Sequence, residues 1–536
     1  MRAALTALGL VLALPVLGVL AAWAQFDATA FVTLAHLWQT VLPDQALQSF
    51  LLAAGVAIGV ALLGGATAAA VSLFDFPGRR IFEWALLLPL AMPAYVLAYA
   101  TTDALNPSGP VQLGLRAAFG GQGALWPDVR SLPSAVLLFV LALYPYAYVL
   151  VRASLAERAA PLMEAARLLG AGLRRRLFEV AIPLARPALA AGVLLALMET
   201  LADFGVGAYF GLTTFTTGIY KAWLVMNDGV AAAQLASSLL AVVACLLWLE
   251  RRAQQRLRFA TSRSGAAHGS DARLLQVGPR GSAALLTLCI LPIVLGFVLP
   301  CVWLIYRVAQ EAQQAEFGLP LQRFLSWATH TFVLAAGAAL VAAAIALAFG
   351  ALLRAERGRL LSPLRLAART VSLGYAVPGA VIAVGMLAPL GLVQARWPDS
   401  GAGVWLTATV LGLLYAYVVR FSAVAMQSVE AGYARIPPAV DDSARLLGAG
   451  LWRTWFEVHR PLLRRATVAA MLLVFVDVMK ELPATLLLRP FGVDTLATVA
   501  YNFARDERLA EAALPSLAIV AVGLIPVALL SRAMRR

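Results

Sequence analysis

Lysine occurs at only two of 536 positions, Lys221 and Lys480. Neither follows a GxxxxG turn, so the chain has no P-loop to cradle nucleotide phosphates. Histidine is almost as scarce. His36, His268, His330 and His459 are scattered, and neither HExxH nor GxSxG occurs, so no catalytic zinc or serine-hydrolase constellation is present. The three cysteines, Cys245, Cys289 and Cys301, lie in apolar runs without metal-ligand spacing and read as small buried hydrophobes. Charge of either sign is also short, at 13% of residues where soluble domains carry about a quarter.

What is abundant is hydrocarbon: 61% of residues are hydrophobic and the mean hydropathy is +0.82. An apolar helix needs roughly 20 residues to cross a bilayer. By that measure the chain predicts an all-α polytopic membrane protein with about twelve transmembrane helices. These fall near residues 4–25, 48–74, 81–102, 134–153, 187–206, 230–249, 283–305, 329–353, 371–393, 403–427, 466–488 and 513–533. With an inside N-terminus, most of the 42 Lys and Arg fall in cytoplasmic segments, and residues 26–50 contain none. The net charge of +14 is then positive-inside bias rather than a nucleic-acid footprint, and both termini are expected in the cytoplasm. Ala22-Trp23-Ala24 resembles a signal-peptide cleavage site, but the apolar run before it favours a retained helix.

The chain repeats itself. ARLLGAGL stands at 166–173 and again 278 residues later at 444–451, with Phe178-Glu179-Val180 and Pro183 echoed by Phe456-Glu457-Val458 and Pro461. An even number of crossings separates the copies, which predicts two parallel membrane domains, 1–249 and 283–536, joined by a polar cytoplasmic linker over 250–282. The linker arginines could touch lipid headgroups, though a solvated tether explains them more simply. Helix breakers also pair across the duplication: Pro89 and Pro93 in one span, Pro378 and Gly379 in its counterpart. They line a pathway or merely kink the helix. Gly55 and Gly59, and Ala335, Ala336 and Gly337, permit close helix packing.

The repeated polar stretch predicts a short helix over 164–169, a break at Gly170 and Gly172, and a second short helix over 173–180 before Pro183. Ala165, Ala166, Leu168 and Leu169 suit either a groove on another protein or an elbow lying on the membrane, and the residues alone leave both open. The pattern Glu164-Ala165-Ala166, Gly170, Val180, Ile182, Pro183 resembles the EAA loop of ABC-importer permeases. Here the loops span 154–186 and 428–465. The second departs from the pattern: Asp442-Ser443-Ala444 replaces Glu-Ala-Ala and Arg460 takes a hydrophobic position, while Gly448, Val458 and Pro461 hold. The resemblance implies two MetI-like domains whose loops form coupling helices, each docking a copy of a separate ATPase that holds the ATP and Mg. No cofactor is then expected on this chain, and no catalysis by it.

Acids enter the spans that follow the loops. Glu199 and Asp203 lie four apart, as do Asp477 and Glu481 at the same offset, with Lys480 between. This spacing predicts one helix face for each pair. Charge at membrane depth is costly and normally faces a bundle interior or water, so these residues are expected to line a pathway. Alternatively, Lys480 pairs with Asp477 or Glu481 and the other acids bond backbone. Carboxylates suit hard cations, and Tyr95, Tyr99, Tyr209 and Tyr220 could add oxygen.

METLADFGVGAYFG at 198–211, FTTGIYKAW at 215–223, VFVDVMKELPATLLLRPFGVDTLATVAY at 474–501 and LPLAMPAYVLAYATTD at 88–103 resemble the fused permeases of ferric-iron ABC importers. That resemblance spans nearly the whole chain. It implies a bacterial inner-membrane protein served by a periplasmic ferric-iron-binding protein. Other cargo such as thiamine, and a proton- or sodium-coupled secondary transporter, are the alternatives.

Overall fold

Backbone amides in a hydrocarbon environment must be satisfied internally, so long apolar sequence has little choice but helix. The computed structural model describes residues 2–21, 23, 28–120, 123–156, 160–261, 274–314, 319–356 and 362–535. Among them the fold is all-α apart from one two-residue parallel bridge, Phe74–Asp75 with Leu275–Gln276. Nine helices among the described residues are long and apolar enough to cross a membrane, and two bent pairs raise the number to 11. Arg460–Met479 carries Arg464, Arg465 and Asp477 and stands outside that count, yet it occupies the place of an expected span.

The bent pairs are the two spans whose prolines matched in sequence. Arg79–Ala91 meets Ala94–Phe119 at 88°, and Pro363–Ala376 meets Gly379–Gly391 at 115°. Each bend follows a short 3-10 turn, Leu88–Ala91 or Gly374–Ala376, and turns at a proline with nearly the same dihedrals. Pro93 has φ −58°, ψ 142° and Pro378 has φ −57°, ψ 142°. Proline disfavours the α conformation in the residue before it, and here Met92 and Val377 are extended, so each span turns at its proline rather than running straight through.

Two compact units emerge, and they do not follow the order of the chain. One contains Met1–Gln39, Gly218–Leu240 and Pro320–Val499; the other contains Thr40–Thr217, Ala241–Leu319 and Ala500–Arg536. Each therefore has the central helices of one sequence half and outer helices of the other. In the first unit, the helix Arg2–Ala21 lies on Gly379–Arg396 so closely that a Cβ on Gly18 would overlap the Gly385 carbonyl. Small residues permit that approach, which substitutes packing for a hydrophobic drive absent in lipid. In the second unit, Leu509–Arg535 lies against Leu88–Ala91, where a Cβ on Gly523 would meet the Ala91 backbone.

The expected linker begins inside a helix: that from Gly229 continues to Thr261, with Arg252 over the Trp248 ring, and near the linker's other end Leu275–Gln276 forms its side of the bridge. Residues 262–273, with His268, lie outside the described residues, as do Ala22 and Ala24 of the cleavage-like triplet and 157–159 of the first loop.

Candidate functional site

Both polar loops adopt one backbone design. Ala160–Leu168 ends at Gly170, whose φ is +81°, and Pro438–Leu446 ends at Gly448, with φ +79°. Left-handed dihedrals favour glycine, and both ends form the same double-bonded cap. The Ala171 N–H donates to Ala166 and the Gly170 N–H to Arg167, each at 2.9 Å; Ala449 to Ala444 and Gly448 to Arg445 repeat this, again at 2.9 Å. The break thus falls at Gly170, while Gly172 is extended with φ −65°.

Beyond the cap the chain differs from expectation. The second short helix is not separate: Leu173–Ala202 runs on as one helical stretch into the span. A wide π-turn, Arg176–Ala181, precedes Pro183, and Trp455–His459 precedes Pro461. Proline cannot donate and crowds the carbonyl four residues back, and the wider turn relieves both problems without breaking the helix. Salt bridges repeat as well, Arg175–Glu179 at 2.7 Å and Arg453–Glu457 at 3.1 Å. Glu164 pairs with Arg167 at 3.6 Å and Asp442 with Arg445 at 3.9 Å, exposed contacts of little energetic weight.

The apolar side chains at these caps point outward. Leu168 and Leu169 are 81% and 88% exposed, and Leu446 and Leu447 are 89% and 85% exposed. Phe178, Trp452 and Phe456 are also exposed. Ala165 shares this exposed surface, Glu164 and Ala166 are half-buried, and Ala444 is buried.

The opposite side of each loop helix is where the copies diverge. In the first, Met163 and Ala181 are buried in an apolar cluster with Val151, Leu155 and Ala185. In the second, the positions equivalent to Met163 and Ala181 are Asp441 and His459, both buried. His459 Nε2 lies 2.6 Å from Asp441 Oδ1, and Arg354 Nε donates to Asp441 Oδ2 at 2.7 Å. Burial opposes charge on Asp441, but the hydrogen bonds from His459 and Arg354 outweigh it and hold the carboxyl below its ordinary range.

The acids do not share helix faces. Each helix stops first: Ala202 ends one and Asp203 is extended, while Met479 ends the other and Lys480 caps it. Asp203 accepts the Val206 N–H at 2.8 Å, capping Gly205–Tyr209. Glu199 is half-buried on the preceding helix. Lys480 pairs with Asp477 at 2.8 Å. Glu481 instead takes Arg420, at 3.1 Å, and accepts the Ala484 N–H at 2.9 Å; both ends of that ion pair are buried. Arg420 sits 61 residues upstream with no local pattern to announce it.

Of the tyrosines, Tyr99 packs between Tyr95, tilted at 5.7 Å between ring centroids, and Tyr209, edge-on at 4.8 Å. Its hydroxyl is buried without a hydrogen-bond partner among the described residues. Tyr209 receives a bond from Arg130 at 3.1 Å, and Arg130 pairs with Glu507 at 2.8 Å, which raises the guanidinium pKa. Tyr220 donates to the Pro483 carbonyl. No group of three or more His, Cys, Asp or Glu is poised for a metal among the described residues.

A helical membrane protein built twice, with a bent span, an acid-ended helix and one exposed glycine-capped loop per copy, defines a duplicated transport component. The chain belongs to the family of binding-protein-dependent transport system inner membrane components, which matches residues 61–259 and 346–536. It is thus a permease subunit of the inner membrane. Among curated relatives it is 25% identical over 527 residues to the Fe(3+)-transport system permease protein FbpB 2 of Haemophilus influenzae, covering 98% of this chain and 96% of that one. The ferric transport system permease protein FbpB of Actinobacillus pleuropneumoniae is 23% identical over 78% of this chain and 61% of its own length. The molybdenum transport system permease protein ModB of Escherichia coli K12 is 29% identical over 34% of this chain and 81% of its own.

Proposed function

We propose that this permease carries ferric iron into a bacterium, driven by ATP hydrolysis on a separate subunit. The extent of similarity carries the choice of cargo: likeness to an iron permease runs along 98% of the chain, through both copies, against 34% for a molybdenum permease. A periplasmic protein loaded with ferric iron delivers the cargo.

Two copies of the ATPase dock from the cytoplasm, one at each loop. Glu164, Ala165, Ala166, Gly170 and Pro183 shape the first seat, and Asp442, Ala444, Gly448 and Pro461 the second. The exposed leucine pairs beside each glycine support this reading, because a contiguous apolar surface on a polar loop invites a partner. Both termini share that side. ATP and Mg stay with the partner, no cofactor is held by this chain, lipids surround it, and nucleic acid has no part.

Within the membrane, Glu199, Asp203, Asp477 and Glu481 border the route, and Lys480 tunes its field. Carboxylate oxygens suit a hard cation. Tyr95 and Tyr99 stand in the same unit as Asp203, and the unsatisfied Tyr99 hydroxyl supplies a polar group that a passing solute or water would complete.

Uptake of radiolabelled ferric iron tests the proposal in vesicles holding the chain, its ATPase and the loaded binding protein. Uptake should need all three and ATP, survive an uncoupler, and resist excess molybdate or thiamine. Accumulation that collapses with the uncoupler, or that follows another solute, sinks it.

A further inference from the structure

The two loops share a backbone but not a joint. At the second, one carboxylate gathers three elements: Arg354 at the end of Leu321–Ala355, Asp441 on the loop helix, and His459 at the head of Arg460–Met479. Arg354 also donates to the carbonyls of Ile436 at 2.8 Å, Pro437 at 3.1 Å and Tyr433 at 3.3 Å, so it caps the helix Val410–Ala434 as well. The Tyr433 ring stands edge-on to His459, with centroids 5.4 Å apart. Arg354 and Asp441 together therefore tie the loop helix to Leu321–Ala355, Val410–Ala434 and Arg460–Met479.

The matching cap bonds and π-turns show that the backbone forms equally well without this charge, since Met163 and Ala181 serve in the first loop. Apolar contact is non-directional and tolerates sliding. Charge-assisted hydrogen bonds fix distance and angle together.

We infer that Arg354, Asp441 and His459 form a rigid positioning joint that transmits movement of the second loop into its membrane helices, whereas the first loop rides on a compliant apolar joint. The three are positioning residues, set behind the exposed face that meets the partner. This assignment rests on the importer reading for its purpose, but the rigidity itself does not.

Two measurements test it. Hydrogen exchange on the purified full chain compares residues 438–448 with 160–170 in the wild type and in the triple variant Arg354→Leu, Asp441→Met, His459→Ala, which installs the first loop's own pair. Exchange should accelerate at 438–448 and stay unchanged at 160–170; equal protection in both proteins overturns the joint. The second readout is cargo moved per ATP hydrolysed in the reconstituted importer. The triple variant should assemble and hydrolyse ATP while this ratio falls roughly two- to thirtyfold, the span of mutational coupling effects, and Asp441→Asn should fall between. Normal coupling in the triple variant overturns the inference. So does a fall in transport matched by equal loss of assembly and hydrolysis, the mark of a merely structural role. A wild-type chain indifferent to any ATPase defeats the importer reading instead, and would do so while leaving the exchange difference in place.

Discussion

Gly379 lies directly against Glu481. A Cβ built on it would overlap Glu481 Oε1, fall 2.7 Å from Arg420 Nη1 and 3.0 Å from the Ala484 nitrogen. The bend in the span and the buried ion pair are therefore one construction: the chain turns at Pro378, and the first residue after the turn must be hydrogen-sided for Arg420 to reach Glu481. Gly379→Ala should push the pair apart and destabilise the protein by roughly 3 kcal/mol, the scale for breaking a buried pair. Thermal unfolding in detergent would reveal it, and an unchanged midpoint contradicts the account.

Charge and cap can be separated at Asp203. Asparagine caps as well as aspartate, so Asp203→Asn should keep the bond to Val206 and alter stability by less than about 0.5 kcal/mol. Ferric uptake should nonetheless drop if the charge borders the route. Glu481→Gln is the less clean change, since it leaves Arg420 with a neutral partner in a buried site. Uptake by the correctly inserted Asp203→Asn protein at the wild-type rate removes Asp203 from the pathway.

At Gly170 and Gly448 an added Cβ meets nothing within 4 Å, so steric clash plays no part in what substitution does there. Only the left-handed backbone does. Asparagine visits that region, whereas a β-branched residue pays about 1–2 kcal/mol. Gly170→Asn should retain ATPase co-purification and Gly170→Val should lose it, with the same contrast at Gly448. Gly170→Glu and Gly448→Glu should weaken it too. Equal behaviour of Asn and Val would show that the cap is dispensable.

The leucine pairs are exposed in this chain, so their replacement should leave its own stability alone. Leu446→Ser with Leu447→Ser ought to weaken ATPase binding about tenfold or more, as expected for apolar anchors at a contact. The same holds for Leu168 and Leu169. A melting point lowered with binding unchanged reverses the interpretation.

Acid should act on the second loop late. Because Asp441 has a folded pKa below its unfolded value of about 3.9, its contribution is complete above that pH and is lost as pH falls through the folded value. The stability gap between wild type and Asp441→Asn should persist at neutral pH and close only below about pH 4. A gap that closes near neutrality contradicts this account of Asp441.

Much of this was legible in order of residues. Glycine at 170 and 448 announced left-handed caps because few other residues tolerate them, and Pro93 and Pro378 announced breaks because proline disfavours a helical residue before it. The acids were visible as charges in apolar runs, yet a spacing of four implied a shared face only while the helix continued. It stops at Ala202 and Met479, so that geometry failed. Arg420, Arg354 and Asp441 went unread as partners because pairs separated by 61 and 87 residues leave no local period. His459 was one of four scattered histidines until Asp441 met it.

Composition by itself determined the solvent, and with it the helices: a chain 61% hydrophobic and 13% charged can satisfy its backbone in lipid in few other ways. The duplication and its two glycine-capped loops were likewise written in one dimension. Tertiary structure decided which outer helices joined which unit, and which acid answered to which base. Those outcomes depend on close approach between distant surfaces, at Gly18 with Gly385 or Gly379 with Glu481, and complementarity of that kind exists only once the chain has folded.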